Sequence, residues 1–238
     1  MKVQQNDSDV LHTPIGRLGF LKMSGVALAS TALILTGCKK DNNEPTPVTT
    51  APTNNSVDLG SGDIGVLNYA YALEQLEAAF YTQVMATPFS GMTAAETEIL
   101  GDLKLHEIAH RDFLKAALGS SAIIALTVNF SSIDFSSRAS VLATAKAFED
   151  LGVSAYNGAG KLIVDPNYLL IAGKIVSVEA RHAAAIRDLL NPNSADFAGD
   201  DVVTVAQGLD MERTPAQVLA IAAPYITNQL DASHLPTS

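Results

Sequence analysis

The chain has 238 residues, room for one large domain or two small ones, and is 47% hydrophobic but only 17% charged, which excludes disorder over most of its length. With no Trp, few other aromatics and abundant Ala, Leu and Ile, it suits helices better than a β-sandwich. A formal charge of −10 with no basic run argues against a nucleic-acid partner, and a single cysteine, Cys38, excludes disulfide frameworks and cysteine-built metal cages.

The first element in chain order is the apolar run Gly25 to Leu35, too short to span a bilayer comfortably but suited to the core of a signal peptide. Arg17 and Lys22 place positive charge ahead of it. Leu35-Thr36-Gly37-Cys38 follows and resembles the lipobox of bacterial lipoproteins, in which small residues admit the peptidase and the cysteine is lipidated. Residues 1–38 are therefore expected to be a signal peptide with lipobox. The mature chain is expected to be exported and held to a membrane by lipid on Cys38, in the periplasm or at the cell surface. Arg17-Leu18-Gly19-Phe20-Leu21-Lys22 also resembles a twin-arginine signal whose second arginine is leucine, so the secretory and twin-arginine routes both stay open. Residues 39–62, rich in Pro, Thr, Asn and Ser, read as a flexible linker.

Four long helices are expected next, forming a bundle over residues 63–191. Asp63 is a candidate cap for the first, which runs to about Ala86 with Leu67, Tyr71, Ala78 and Tyr81 at helical spacing on one face. Thr93-Ala94-Ala95-Glu96 is a capping box that opens the second, and Gly119 closes it. Residues 119–136 are too irregular for a long helix. Ser136 or Ser137 caps a third helix to about Gly160, and Asp165-Pro166 opens a fourth that ends near Asn191. A 25-residue helix is about 37 Å long, and about 17 residues of extended chain reach roughly 55 Å, so the irregular piece can cross the bundle from end to end. Two antiparallel hairpins joined by one long crossover follow. Residues 192–238 form a C-terminal extension in which Thr214-Pro215 caps a short helix stopped by Pro224.

Chemistry enters with Glu107 and His110, three residues apart and therefore on one helix face, where a carboxylate and an imidazole can grip one metal ion. Glu179 and His182 repeat the pair 72 residues later. Glu74 and Tyr81 recur as Glu149 and Tyr156, offset by 75, so one helical hairpin is used twice about an approximate twofold axis. Counted from the turns, the four acids lie about 11 to 14 residues in, which antiparallel packing at 1.5 Å per residue brings to one level. Glu77 is an alternative ligand to Glu74, but it maps onto Gly152, which favours Glu74. Four buried carboxylates carry a charge of −4 that two divalent ions would neutralise, and oxygen-rich ligation with one imidazole each suits iron or manganese. The competing account pairs these acids with Lys104, Arg111, Lys146, Lys174, Arg181 and Arg187.

On these residues the chain resembles the ferritin-like superfamily. Leu73-Glu74-Gln75-Leu76-Glu77-Ala78-Ala79-Phe80-Tyr81, with His106-Glu107-Ile108-Ala109-His110, is similar to the ferritin-like domains grouped with plant and bacterial desiccation-related proteins. The resemblance implies an all-α ferritin-like four-helix bundle with a di-iron or di-manganese centre. It implies Glu74, Glu107, His110, Glu149, Glu179 and His182 as ligands, Glu107 and Glu179 as bridges, and Tyr81 and Tyr156 as nearby hydrogen-bond or redox partners. His106 faces about 100° away from Glu107 and reads as a surface group or one behind the ligands.

Two functions follow as expectations. One is redox, with the centre oxidising Fe²⁺ or handling peroxide or oxygen and an external electron donor serving the peroxide cycle. The other is a non-enzymatic stress or binding protein of the envelope that keeps the bundle as a scaffold.

Overall fold

The computed structural model describes residues 56–237. The expected signal peptide, Cys38 and the expected linker up to residue 55 lie outside them. Four long helices are present: α1 (Gly62–Ala86), α2 (Ala94–Leu118), α3 (Arg138–Gly160) and α4 (Pro166–Leu190). The short α5 (Pro215–Ala222) follows, and two-residue strands β1 (Val57–Asp58) and β2 (Leu230–Asp231) pair in parallel. α1 packs against α2 and α3 against α4 as two hairpins, and residues 119–137 run the length of the bundle between them. Among the described residues no helix is long and apolar enough to cross a membrane.

Side-chain caps set three of the four long helix starts. Thr93 and Glu96 form the reciprocal capping box of α2, Ser137 accepts from Ser140 N at α3, and Asp165 accepts from Asn167 N ahead of Pro166 at α4. Asp63 behaves differently from its expected role. It lies within the first turn of α1, where Ser61 is the N-cap, and its carboxylate accepts from the backbone N–H groups of Val164 and Asp165, both at 2.8 Å. It therefore fastens the turn between α3 and α4 to the start of α1.

The helices divide unequally between inside and outside. Seventeen residues of α1 and thirteen of α3 are buried, against six each in α2 and α4. The single apolar face expected of α1 is thus an underestimate, because the crossover covers its outer side. Two amides seven residues apart hold the crossover there. Asn68 Nδ2 donates to Leu59 O and Ser121 O, and Ile123 N donates back to Asn68 Oδ1. Gln75 Oε1 accepts from Leu126 N at 2.8 Å. Buried amides so satisfied let an irregular segment pack against a helix without orphaned backbone groups. Phe80, at the heart of the core, meets Phe130 and Phe135 of the crossover and Phe148 of α3.

The C-terminal segment closes the other side. Arg213 N donates to Ser154 O, and its guanidinium Nη1 donates to Ser154 Oγ at 2.7 Å. The chain crosses α3 so closely that a Cβ on Gly158 would lie 1.9 Å from Arg213 O, so only glycine fits there. The last residues of the expected linker also carry structure. Val57 N donates to Gln229 O and Leu59 N to Asp231 O, and the Leu59 side chain is fully buried. Two apolar residues among polar ones are too few to show a periodicity, so this strand was invisible in the sequence.

Candidate metal centre

Each long helix delivers its acid to the middle of the bundle: Glu74 from α1, Glu107 with His110 from α2, Glu149 from α3 and Glu179 with His182 from α4. All four carboxyl groups are 0% exposed. Their ligand atoms form two overlapping groups, each spanning no more than 4.8 Å. One comprises Glu74, Glu107, His110 and Glu179, and the other Glu107, Glu149, Glu179 and His182. Glu107 and Glu179 belong to both.

The carboxylate oxygens divide the work. Tyr156 OH donates to Glu74 Oε1 at 2.5 Å, and Tyr81 OH donates to Glu149 Oε1 at 2.6 Å, so each tyrosine holds the acid of the opposite hairpin. The other oxygen of each, Oε2, has no hydrogen-bond partner. Glu107 and Glu179 instead leave both oxygens free, one toward each imidazole. Glu107 Oε1 lies 2.7 Å from His182 Nδ1 and its Oε2 3.6 Å from His110 Nδ1. Glu179 Oε1 lies 2.7 Å from His110 Nδ1 and its Oε2 3.5 Å from His182 Nδ1. Glu107 and Glu179 thus face both groups, whereas Glu74 and Glu149 each face one.

Eight buried atoms are left unpartnered here: six carboxylate oxygens and the Nδ1 of both histidines. Several lie as close as hydrogen-bonded atoms without the alignment of an N–H···O bond. Donors arranged around a common centre have this geometry, and so many bare buried polar atoms would be costly without a cation between them. The donor set, with oxygens outnumbering nitrogens, fits hard or borderline ions such as iron and manganese.

The electrostatics of the protein groups alone agree. Burial pushes the Glu74 carboxyl up, and the charges of Glu179 and Glu107 add to that. Burial likewise lifts Glu149 to about 8, partly offset by His182. Burial acts upward on Glu107 too, but the imidazoles of His110 and His182 outweigh it and hold the group at about 2. Burial would lower both histidines, yet the surrounding carboxylates raise each to about 12. Two imidazolium ions thus stand in for part of the positive charge that metal would bring.

The ion-pair account fails on position. Among the described residues, the basic side chains within ion-pair distance of the four acids are His110 and His182 only. Arg187 instead forms paired bonds to Asp150 and Asp201, joined there by Lys146, and Arg111 pairs with Asp112.

Glu77 is buried but belongs to neither group. Its Oε1 occupies the space beside Gly152, 3.0 Å from where a Cβ would stand. The repeat partner of Glu77 lacks a side chain, and Glu77 fills that gap. Burial, reinforced by Glu107, Glu179, Glu149 and Glu74, keeps its pKa well above the usual carboxylate range. His106 stands as expected, exposed and behind a candidate ligand. Its Nδ1 lies 2.9 Å from His182 Nε2, with the two rings nearly parallel. A contact between neighbouring helices has no signature within either one. The repeat position of His106 is Val178, so the His110 side has no such partner.

A search of curated proteins finds no match to the chain. Residues 62–192, more than half its length and the span of the four long helices, match the ferritin-like domain. With that match, the paired hairpins and the buried carboxylate–histidine cluster, the chain belongs to the ferritin-like domain family.

Proposed function

We propose that the protein binds two iron or manganese ions at this cluster and uses them in redox chemistry, oxidising Fe²⁺ or handling peroxide or oxygen, at the cell envelope. The observation that carries the reading is the set of eight unpartnered donor atoms, in which two carboxylates turn one oxygen toward each half of the site. Glu74, Glu107, Glu179 and His110 would hold one ion, and Glu149, Glu107, Glu179 and His182 the other. Bound there, the metal pair would supply single-electron changes at two adjacent positions.

The chain's own residues prepare the site. Tyr81 and Tyr156 fix the terminal carboxylates so that only Oε2 of each is turned inward. His106 orients the His182 ring through its far nitrogen. Leu76, Phe80 and Leu100 are among the fully or almost fully buried residues of the core that keeps bulk water from the middle of the bundle. With Cys38 its single cysteine, the chain has no rubredoxin-type centre, so a peroxide cycle would draw electrons from an external donor. Lipid on Cys38 would hold the domain at the membrane.

Anaerobic Fe²⁺ titration followed by elemental analysis tests the reading. Two ions per chain are expected, about one in Glu74→Ala or Glu149→Ala, and none in Glu107→Ala/Glu179→Ala. Metal content that is nil in the natural chain, or unchanged in the double variant, sinks it.

A further inference from the structure

The two halves of the cluster repeat one another in their ligands but not in their cover. In the half of Glu149 and His182 every candidate ligand is buried, the carboxyls at 0% exposure and the His182 side chain at 4%. In the half of Glu74 and His110 the imidazole side chain is 14% exposed. The tyrosines follow the same order: Tyr81, which holds Glu149, is 0% exposed, and Tyr156, which holds Glu74, is 9% exposed.

The imidazoles account for the difference. His182 stacks against two others, His106 with ring centroids 5.2 Å apart and His110 at 6.1 Å. Its Nδ1 turns to the cluster, and its far nitrogen, Nε2, is anchored 2.9 Å from His106 Nδ1. With Nδ1 given to a metal, Nε2 carries the ring hydrogen and donates it to His106. His110 also turns Nδ1 to the cluster, but the position that repeats His106 is Val178, whose side chain offers no acceptor. A histidine leaves a buried ion only when its ring swings aside and water takes its place. For His182 that motion breaks the anchor and separates stacked rings, whereas His110 swings toward a side already open to solvent.

We infer that the two halves exchange metal at different rates and that His106 sets the difference by holding the His182 ring in place. The half of Glu149 and His182 keeps its ion, and incoming Fe²⁺ enters and leaves past His110. His106 is a positioning residue in this scheme, acting on the metal through His182. The inference rests on the two-metal reading given above and adds to it which half is the entrance.

Release of iron to bipyridine from the full chain, loaded anaerobically with Fe²⁺, tests the inference. Two phases of equal amplitude are expected, the second slower than the first by roughly tenfold or more. Glu74→Ala, which keeps the His182 half, should show the slow phase alone, and Glu149→Ala the fast one. His106→Leu keeps bulk but offers no acceptor, so it should speed the slow phase by roughly tenfold or more and leave the fast phase unchanged. His106→Gln offers its carbonyl oxygen to the same N–H and should stay near the natural rate. Circular dichroism checks that the variants fold. Release of both ions in one phase, the reverse order in the two single-ion variants, or a slow phase that His106→Leu does not move overturns the inference. Metal content measured before the chelator is added tells the two failures apart. Two bound ions that leave together overturn the inequality alone, and none bound overturns the two-metal reading with it.

Discussion

Replacing Tyr81 by Phe removes one oxygen from a sealed place. Its hydroxyl donates to Glu149 Oε1 at 2.6 Å, and both residues are 0% exposed, so no solvent can replace the lost bond. Hydrogen bonds to charged groups are worth about 1.5–3 kcal/mol, and an orphaned buried acceptor costs a similar amount. About 2 kcal/mol is therefore expected, or roughly 4–8 °C in melting temperature for a domain of this size. Tyr156→Phe breaks the equivalent bond to Glu74, but Tyr156 is 9% exposed, so its loss should be the smaller of the two. Burial and then the neighbouring carboxylates push both phenols well above their ordinary range, so they stay protonated and the difference should be flat between about pH 6 and 9. Thermal unfolding of the metal-loaded protein measures the effect, and elemental analysis should still find two ions per chain. A shift below about 1 °C in both variants would refute the assignment of these tyrosines as struts for the terminal carboxylates.

Rising pH should lower the stability of the metal-free protein and enlarge the gain from added metal. Glu149 is raised to about 8, so its folded form keeps a proton that the unfolded chain releases, and stability is lost as pH rises from 4.5 toward 8. The contribution of His110 and His182, raised to about 12, is complete below 6.5 and is lost above it, while that of Glu107, held at about 2, is already complete above 4.5. The melting temperature of metal-free protein should therefore fall from about pH 5 to 8, and the gain from added metal should grow because protons no longer compete for its ligands. A metal-free melting temperature that rises across this window contradicts the assignment. His106→Ala should weaken only the ion at His182, by roughly 10–100-fold, with the His110 half unchanged in a two-site titration. Equal losses at both halves would show that His106 does not act through the His182 ring.

The features repeated along the chain could be read from the sequence. Glu107 with His110, echoed by Glu179 with His182, located the centre because helical spacing turns each pair to one face. The capping box at Thr93 and the Asp165-Pro166 start placed helix ends because those signals are local. What escaped were contacts made between elements. Asn68 and Gln75 looked like ordinary polar residues in a helix, yet their amides bind the crossover. Asp63 looked like a cap, yet it serves a turn about a hundred residues away.

The parallel pairing of β1 with β2 has a mechanical meaning. Any tension entering along the chain ahead of Ser56 meets two backbone bonds, Val57 to Gln229 and Leu59 to Asp231, before it reaches a helix. Pulled along the strand, these bonds are sheared together, with the buried Leu59 side chain seated behind them and its carbonyl held by Asn68. The two-residue sheet is thus a strain relief. A tug from that side is borne by the joint between β1 and β2, and α1, which carries Glu74 toward the cluster, stays in place.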